Sequence, residues 1–167
     1  EAAEALGWIG DPEATGALTR SLTDASEFVR VRAVLALGHL ARWKCVDPFL
    51  PLLSDPSEAV REAAAVELGR QGSARAILPL VRALEIGVGA AAVEALSEIA
   101  LRDPAPELRA ALPVLARMAP AQYAGEEALY RSTIARIEHV AAEWQHLPVP
   151  SGQPAERANL PSPASAP

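Results

Sequence analysis

Three histidines, one cysteine and a set of arginines are the residues of this chain with the most chemical potential, and their spacing limits what they could do. His39, His139 and His146 are far apart, and none stands in an H-E-x-x-H or similar pairing that would put two ligands on one helix face. Cys45 is alone, which excludes an internal disulfide and a cysteine-based zinc site, so it reads as a small apolar filler. Ser26, Ser54, Ser57 and Ser97 have no G-x-S-x-G setting, and no glycine-rich phosphate loop occurs. Glu126-Glu127 opens a helix, where acidic residues favour the dipole. These residues assign no catalytic centre, no metal and no cofactor.

The arginines carry more information. Fourteen of the 15 basic residues are arginine, whose planar fork suits fixed ion pairs and interfaces. Two of them belong to a repeated phrase: Val29-Arg30-x-x-Ala33-Val34-x-x-Leu37-Gly38 returns 31 residues later as Val60-Arg61-x-x-Ala64-Ala65-x-x-Leu68-Gly69. Asp24 and Asp55 lie five residues before the two valines. A guanidinium beside an apolar face wants a carboxylate, so Asp24, Arg30, Asp55 and Arg61 are expected to form a structural ladder of ion pairs within or between repeats.

A repeat of this length requires stacked helical units, each too small to bury its own apolar face. Counting from the valine as zero, the apolar positions are 0, 4, 5, 8 and 11, which share one helix face at 100° per residue. A further copy, Val88, Ala92, Val93, Leu96 and Ile99, comes only 28 residues after the second. Ser97 replaces the glycine there, Ala83 the aspartate and Gly89 the arginine, so the ladder should stop at that copy. Shorter apolar helices are expected between these, over residues 13–23, 48–54, 73–85 and 105–118. A longer helix with Tyr130, Ile134, Ile137, Ala141 and Trp144 on one stripe would close the stack. Four Asp-Pro pairs, at Asp11, Asp47, Asp55 and Asp103, read as N-caps followed by proline at the first helical position.

Half of the residues are apolar and only 4% aromatic, with abundant alanine, a balance suited to close helix packing. The expected fold is all-α, and the expected organisation is a repeat domain over 1–145 with a Pro-rich disordered tail over 146–167. Within the domain the units are a partial repeat 1–23, repeats 24–54, 55–85 and 86–119, and a capping helix 124–145. Because Glu1 already falls inside a copy of the phrase, the sequence is expected to be the C-terminal fragment of a larger protein. A net charge of −6 weighs against nucleic acid or an anionic membrane as the main partner, and a cytoplasmic setting is expected.

With Asp24 and Val29-Arg30, Asp55 and Val60-Arg61, and the prolines Pro51, Pro79 and Pro113 of the intervening helices, the chain resembles the short HEAT-like repeats of phycobilisome-lyase type over about residues 1–119. The resemblance implies a right-handed α-α superhelix, a HEAT-like solenoid of about four to four and a half helix pairs. It also implies that the second helix of each pair lines an inner groove. The positions that point away from the core there hold Trp8; Val31, Arg32, Leu35, His39 and Arg42; Val66 and Arg70; and then Ala90, Ala91, Glu94 and Glu98. An apolar patch rimmed by arginine suits a protein partner. Trp8, Val31, Arg32, Leu35, His39, Arg42, Val66 and Arg70 are therefore the candidate partner-binding residues.

The leading reading is a non-catalytic scaffold or adaptor for a protein or peptide. The resemblance also admits a subunit of a bilin chromophore lyase-like enzyme. A third reading, nucleic-acid binding, draws on Arg32, His39, Arg42, Trp43 and Lys44, and is opposed by the acidic balance. The chain has no His-Glu dipeptide of the kind that ligates metal in the HEAT-like di-iron hydroxylases.

Overall fold

A computed structural model describes residues 12–40, 46–118 and 126–142. The described residues form seven α-helices: α1 (Pro12–Ser21), α2 (Glu27–His39), α3 (Glu58–Gln71), α4 (Ile77–Glu85), α5 (Gly89–Arg102), α6 (Ala111–Met118) and α7 (Glu127–Ala142). Short 3-10 helices span Leu50–Ser54, Ala74–Ala76 and Pro106–Ala110, and no strand occurs among the described residues. The pairs are α1 with α2, Leu50–Ser54 with α3, α4 with α5, and α6 with α7. The second members pack on one another in the order α2, α3, α5, α7, and Leu50–Ser54, α4 and α6 form the opposing layer. The result is an α-solenoid.

The core lies between the two layers, where the repeated phrase puts it. Ala33, Val34 and Leu37 of α2, Val60, Ala64, Ala65 and Leu68 of α3, and Ala92, Val93, Leu96 and Ile99 of α5 are all buried, while Val29 is half-buried. Opposing them stand Leu52, Leu53, Leu80, Leu84 and Leu115 from the first layer. Tyr130, Ile137 and Ala141 of α7 are buried at the end of the stack and Ile134 is half-buried, while Trp144 lies outside the described residues. Small residues in the second-helix layer let the axes approach closely. A Cβ added at Gly69 would lie 2.6 Å from Ala95 Cα and 2.9 Å from its Cβ, so α5 rests almost on the backbone of α3.

The prolines fit because of where they fall. Pro79 and Pro113 are the third residues of α4 and α6, in the first turn, where no intrahelical N–H bond is lost. Helix α3 ends at Gly72, whose φ of 65° is the left-handed conformation and whose N–H reaches Leu68 and Gly69 carbonyls.

Three of the four Asp-Pro pairs do not cap helices as expected. The N-caps of α2 and α3 are Ser26 and Ser57, and two residues earlier Asp24 and Asp55 each accept the serine N–H through Oδ1 at 2.8 Å. The aspartate thus builds an Asx turn that feeds the helix, one step before the cap. Asp47 and Asp103 sit in the loops after α2 and α5 and reach across to the 3-10 helix after α3: Asp47 pairs with Arg75 at 2.7 Å, and Asp103 Oδ2 accepts the Ala74 N–H at 2.9 Å. Asp11 lies outside the described residues, although Pro12 does begin α1. The helix expected over 48–54 is only the 3-10 helix Leu50–Ser54, preceded by Pro48, with Pro51 in its first turn, and followed by Pro56. The proposed tail over 146–167, including His146, falls outside the described residues.

Candidate functional site

Two rows of interactions tie the second helices together and determine which side chains are left to face outward. In the first, Arg30 donates from Nε to Asp55 Oδ2 at 2.8 Å and from Nη2 to Oδ1 at 2.7 Å. Its remaining Nη1 clasps the Asp24 and Ala25 carbonyls at 2.9 and 3.2 Å, so one guanidinium closes its own turn and grips the next repeat. Burial pushes the Asp55 carboxyl up, but the Arg30 hydrogen bonds, the Ser57 N–H and the charges of Arg30 and Arg61 more than offset it, leaving it below the ordinary carboxylate value. The hydrogen bonds it donates to Asp55, working against burial, hold Arg30 above its ordinary value, with help from the charges of Asp55, Glu27 and Asp24.

Arg61 repeats half of this arrangement. Its Nη1 reaches the Asp55 and Pro56 carbonyls at 2.9 and 3.2 Å, yet its Nε is buried and has no acceptor among the described residues. The reason is a shortened third copy. Helices α2 and α3 begin two residues before their phrase valines, at Glu27 and Glu58, whereas α5 begins one residue after Val88, at Gly89. The missing turn is the one that would carry the aspartate. In its place Gly87, at φ 95°, makes the tight connection from α4.

The outward stripe begins on α2. Phe28 is 62% exposed, and the Arg32 guanidinium lies 5.1 Å from its ring centroid, a cation–π contact at helical i, i+4 spacing. Leu35 and Val31 are half-buried, Val31 packs against the core, and His39 is exposed. On α3 the stripe carries Ala63, Val66 and Arg70, of which Val66 and Arg70 are exposed. Trp8 and Arg42, with Trp43 and Lys44, lie outside the described residues. Phe28 stands one position before the phrase valine and four residues ahead of Arg32, outside the outward positions counted from the valine, and that i, i+4 spacing is the signal the sequence holds for the pair.

Between α3 and α5 the stripe opens into a cleft of about 230 Å³. Val66, Gly69 and Arg70 line it from α3, and Glu94, Ala95, Glu98 and Arg102 from α5. The charges are mostly neutralised inside the wall. Arg70 pairs with Glu67 at 2.8 Å; Arg102 pairs with Glu98 at 3.0 Å and donates to the Arg70 carbonyl at 2.6 Å. Glu67 is 2% exposed and occupies position 7 of its phrase, where the other copies hold Ala36 and Ala95. A Cβ at Gly38 would overlap its carboxylate, just as one at Gly69 would overlap Ala95, so position 7 of one repeat packs on the glycine of the repeat before. A glutamate in an alanine position was legible in the sequence as an exception, but the face it occupies only becomes evident once the layers are stacked.

Among the described residues no group of three or more His, Cys, Asp or Glu is arranged to hold a metal, and no helix is long and apolar enough to cross a membrane. The HEAT repeats family profile matches residues 21–116, more than half of the sequence. The chain belongs to the HEAT repeat family. The profile of the PBS lyase HEAT-like repeat matches residues 1–24, overlapping the start of that span. A comparison with curated proteins gives no match. The positions that recur between its repeats are the buried phrase and, in the first two full copies, the aspartate and arginine of the rung. What differs from one repeat of this chain to the next is the set Phe28, Arg32, Leu35, Val66, Glu67, Arg70, Glu94 and Glu98 on the second helices.

Proposed function

We propose that this HEAT-repeat chain is a non-catalytic scaffold that holds a protein or peptide partner along the outward stripe of α2, α3 and α5. The observation that carries the reading is the juxtaposition of exposed apolar side chains with fixed arginines: Phe28 beneath Arg32, and Val66 beside the Glu67-braced Arg70. Rigid aromatic and arginine groups are the side chains that dominate binding energy at protein interfaces. HEAT repeats generally mediate protein interaction, which agrees with that chemistry. A cytoplasmic setting belongs to the same proposal.

Photo-crosslinking residues introduced singly at Leu35 and Val66 test the assignment against one at Ala116, exposed on α6 in the opposite layer. A partner recovered through the first two and not the third, and lost when Arg32, Leu35 and Arg70 are together replaced by alanine with helicity unchanged, supports the groove. Equal recovery through Ala116 rules it out.

The match of residues 1–24 to the PBS lyase HEAT-like repeat favours a second reading, a subunit of a bilin lyase-like enzyme. Mixing the protein with bilin and an apo-phycobiliprotein, with candidate partner subunits, should then change the absorption spectrum; an unchanged spectrum removes this alternative. Glu94 and Glu98 on the stripe oppose a polyanionic nucleic acid as occupant.

A further inference from the structure

The cleft between α3 and α5 has a charge balance that selects its occupant. Its two arginines are already engaged, Arg70 by the buried Glu67 and Arg102 by Glu98 and the Arg70 carbonyl. Its two carboxylates are not equivalent. Glu98 is paired, whereas Glu94 is exposed and has neither an ion-pair nor a hydrogen-bond partner among the described residues. Counting Glu67, the walls hold three carboxylates against two guanidinium groups, and the uncompensated charge is that of Glu94.

Size narrows the choice further. At about 230 Å³ the cleft falls below the roughly 300–1,000 Å³ of small-molecule pockets, so it fits one side chain better than a cofactor. Its apolar lining comes from Val66, Gly69 and Ala95, a short greasy strip leading to a carboxylate. That combination suits a lysine or arginine, which lays its aliphatic stem on apolar surface and keeps its charged end on an acid.

We propose that this cleft receives a basic side chain of the protein partner, with Glu94 as the residue that selects the cation. The proposal rests on the groove reading above and deepens it: the arginine-and-aromatic end at α2 would meet apolar or acidic residues of the same partner segment, and the cleft would meet its basic residue. Second helices in contact lie about 8–10 Å apart and the cleft is one and a half spacings from α2, so the two ends are separated by roughly 12–15 Å, the span of about four extended residues.

The test uses the full chain, isotopically labelled, and three N-acetylated, C-amidated pentapeptides in which a central lysine, norleucine or glutamate is flanked by alanines. The lysine peptide should shift the amide signals of Val66, Gly69 and Ala95 saturably, and its affinity should fall about tenfold in Glu94→Gln. Glu85→Gln, which removes the same charge from the other layer, should leave that affinity unchanged. Norleucine or glutamate peptides binding as tightly as lysine, or an unaltered affinity in Glu94→Gln, would overturn the cation pocket. If partner capture still depends on Arg32 and Leu35 while Glu94→Gln is silent, the groove stands and the pocket alone is wrong.

Discussion

At the scale of single residues, the Asp55 carboxylate performs three tasks: it builds the turn before α3, accepts both arms of the Arg30 fork, and thereby joins two repeats. Asp55→Asn keeps the shape but leaves Arg30 facing a neutral amide, and should lower the melting temperature by on the order of 5 °C. The pH dependence follows from the direction of the shift. Asp55 ionises more readily in the folded chain than in the unfolded one, so its contribution is complete above about pH 4 and disappears as pH falls through the lowered folded value. The raised value of Arg30 puts its own loss in strong base. Thermal melts between pH 7 and pH 3 should therefore show a steeper decline for the native chain than for Asp55→Asn. Thr133 offers the opposite case. It is fully buried on α7, and its hydroxyl has no partner among the described residues, so Thr133→Val should leave the melting temperature level or raise it by about 2 °C.

At the scale of elements, the two phrase glycines look identical in sequence and behave differently in the stack. Gly69→Ala sets a methyl against the backbone of Ala95, which cannot yield without moving α5, and should cost about 2–3 kcal/mol in chemical denaturation. Gly38→Ala meets only the end of the Glu67 side chain, which can swing into the groove. It should cost about 1 kcal/mol or less, and pairing it with Glu67→Ala should recover most of that loss, as a double-mutant cycle would show. The helices, their apolar faces and the failure of the third rung were legible in the phrase, because burial follows periodicity. The 28-residue interval, three short of the first, already contained the missing turn of α5. The roles of Asp47 and Asp103 were not legible: a cap and an inter-loop link begin with the same Asp-Pro pair, and only the neighbouring repeat distinguishes them. The groove residues were partly legible, since Val66 and Arg70 follow from the register, while Glu67 and Phe28 fall between the positions that a core-versus-surface division recognises.

At the scale of the molecule, each unit of a linear stack needs its apolar surface covered by the next. Helix α7 does this for α5, burying Tyr130, Ile137 and Ala141 against the end of the core. Truncation after Met118 removes that cover. Each large apolar side chain left without its packing forfeits about 2 kcal/mol, so the shortened chain should bind a dye for exposed apolar surface, elute as larger species and lose its single cooperative melt. A truncated chain that remains monomeric, dye-silent and cooperative would show that α7 is an appendage rather than a lid on the core.

The shortened third copy also decides where the stack is fastened. The seam between α2 and α3 is fastened at both margins, by Arg30 and Asp55 where the helices begin and by Asp47 and Arg75 in the loops that follow them. The seam between α3 and α5 is fastened where the helices end, by Arg102 on the Arg70 carbonyl and Asp103 on the Ala74 N–H, while at its other margin the Arg61 Nε has nothing to hold among the described residues. The cleft lined by Val66, Arg70, Glu98 and Arg102 lies at the fastened margin of that seam, so the lost aspartate removes a clasp from the margin away from the cleft and leaves the cleft's own walls tied.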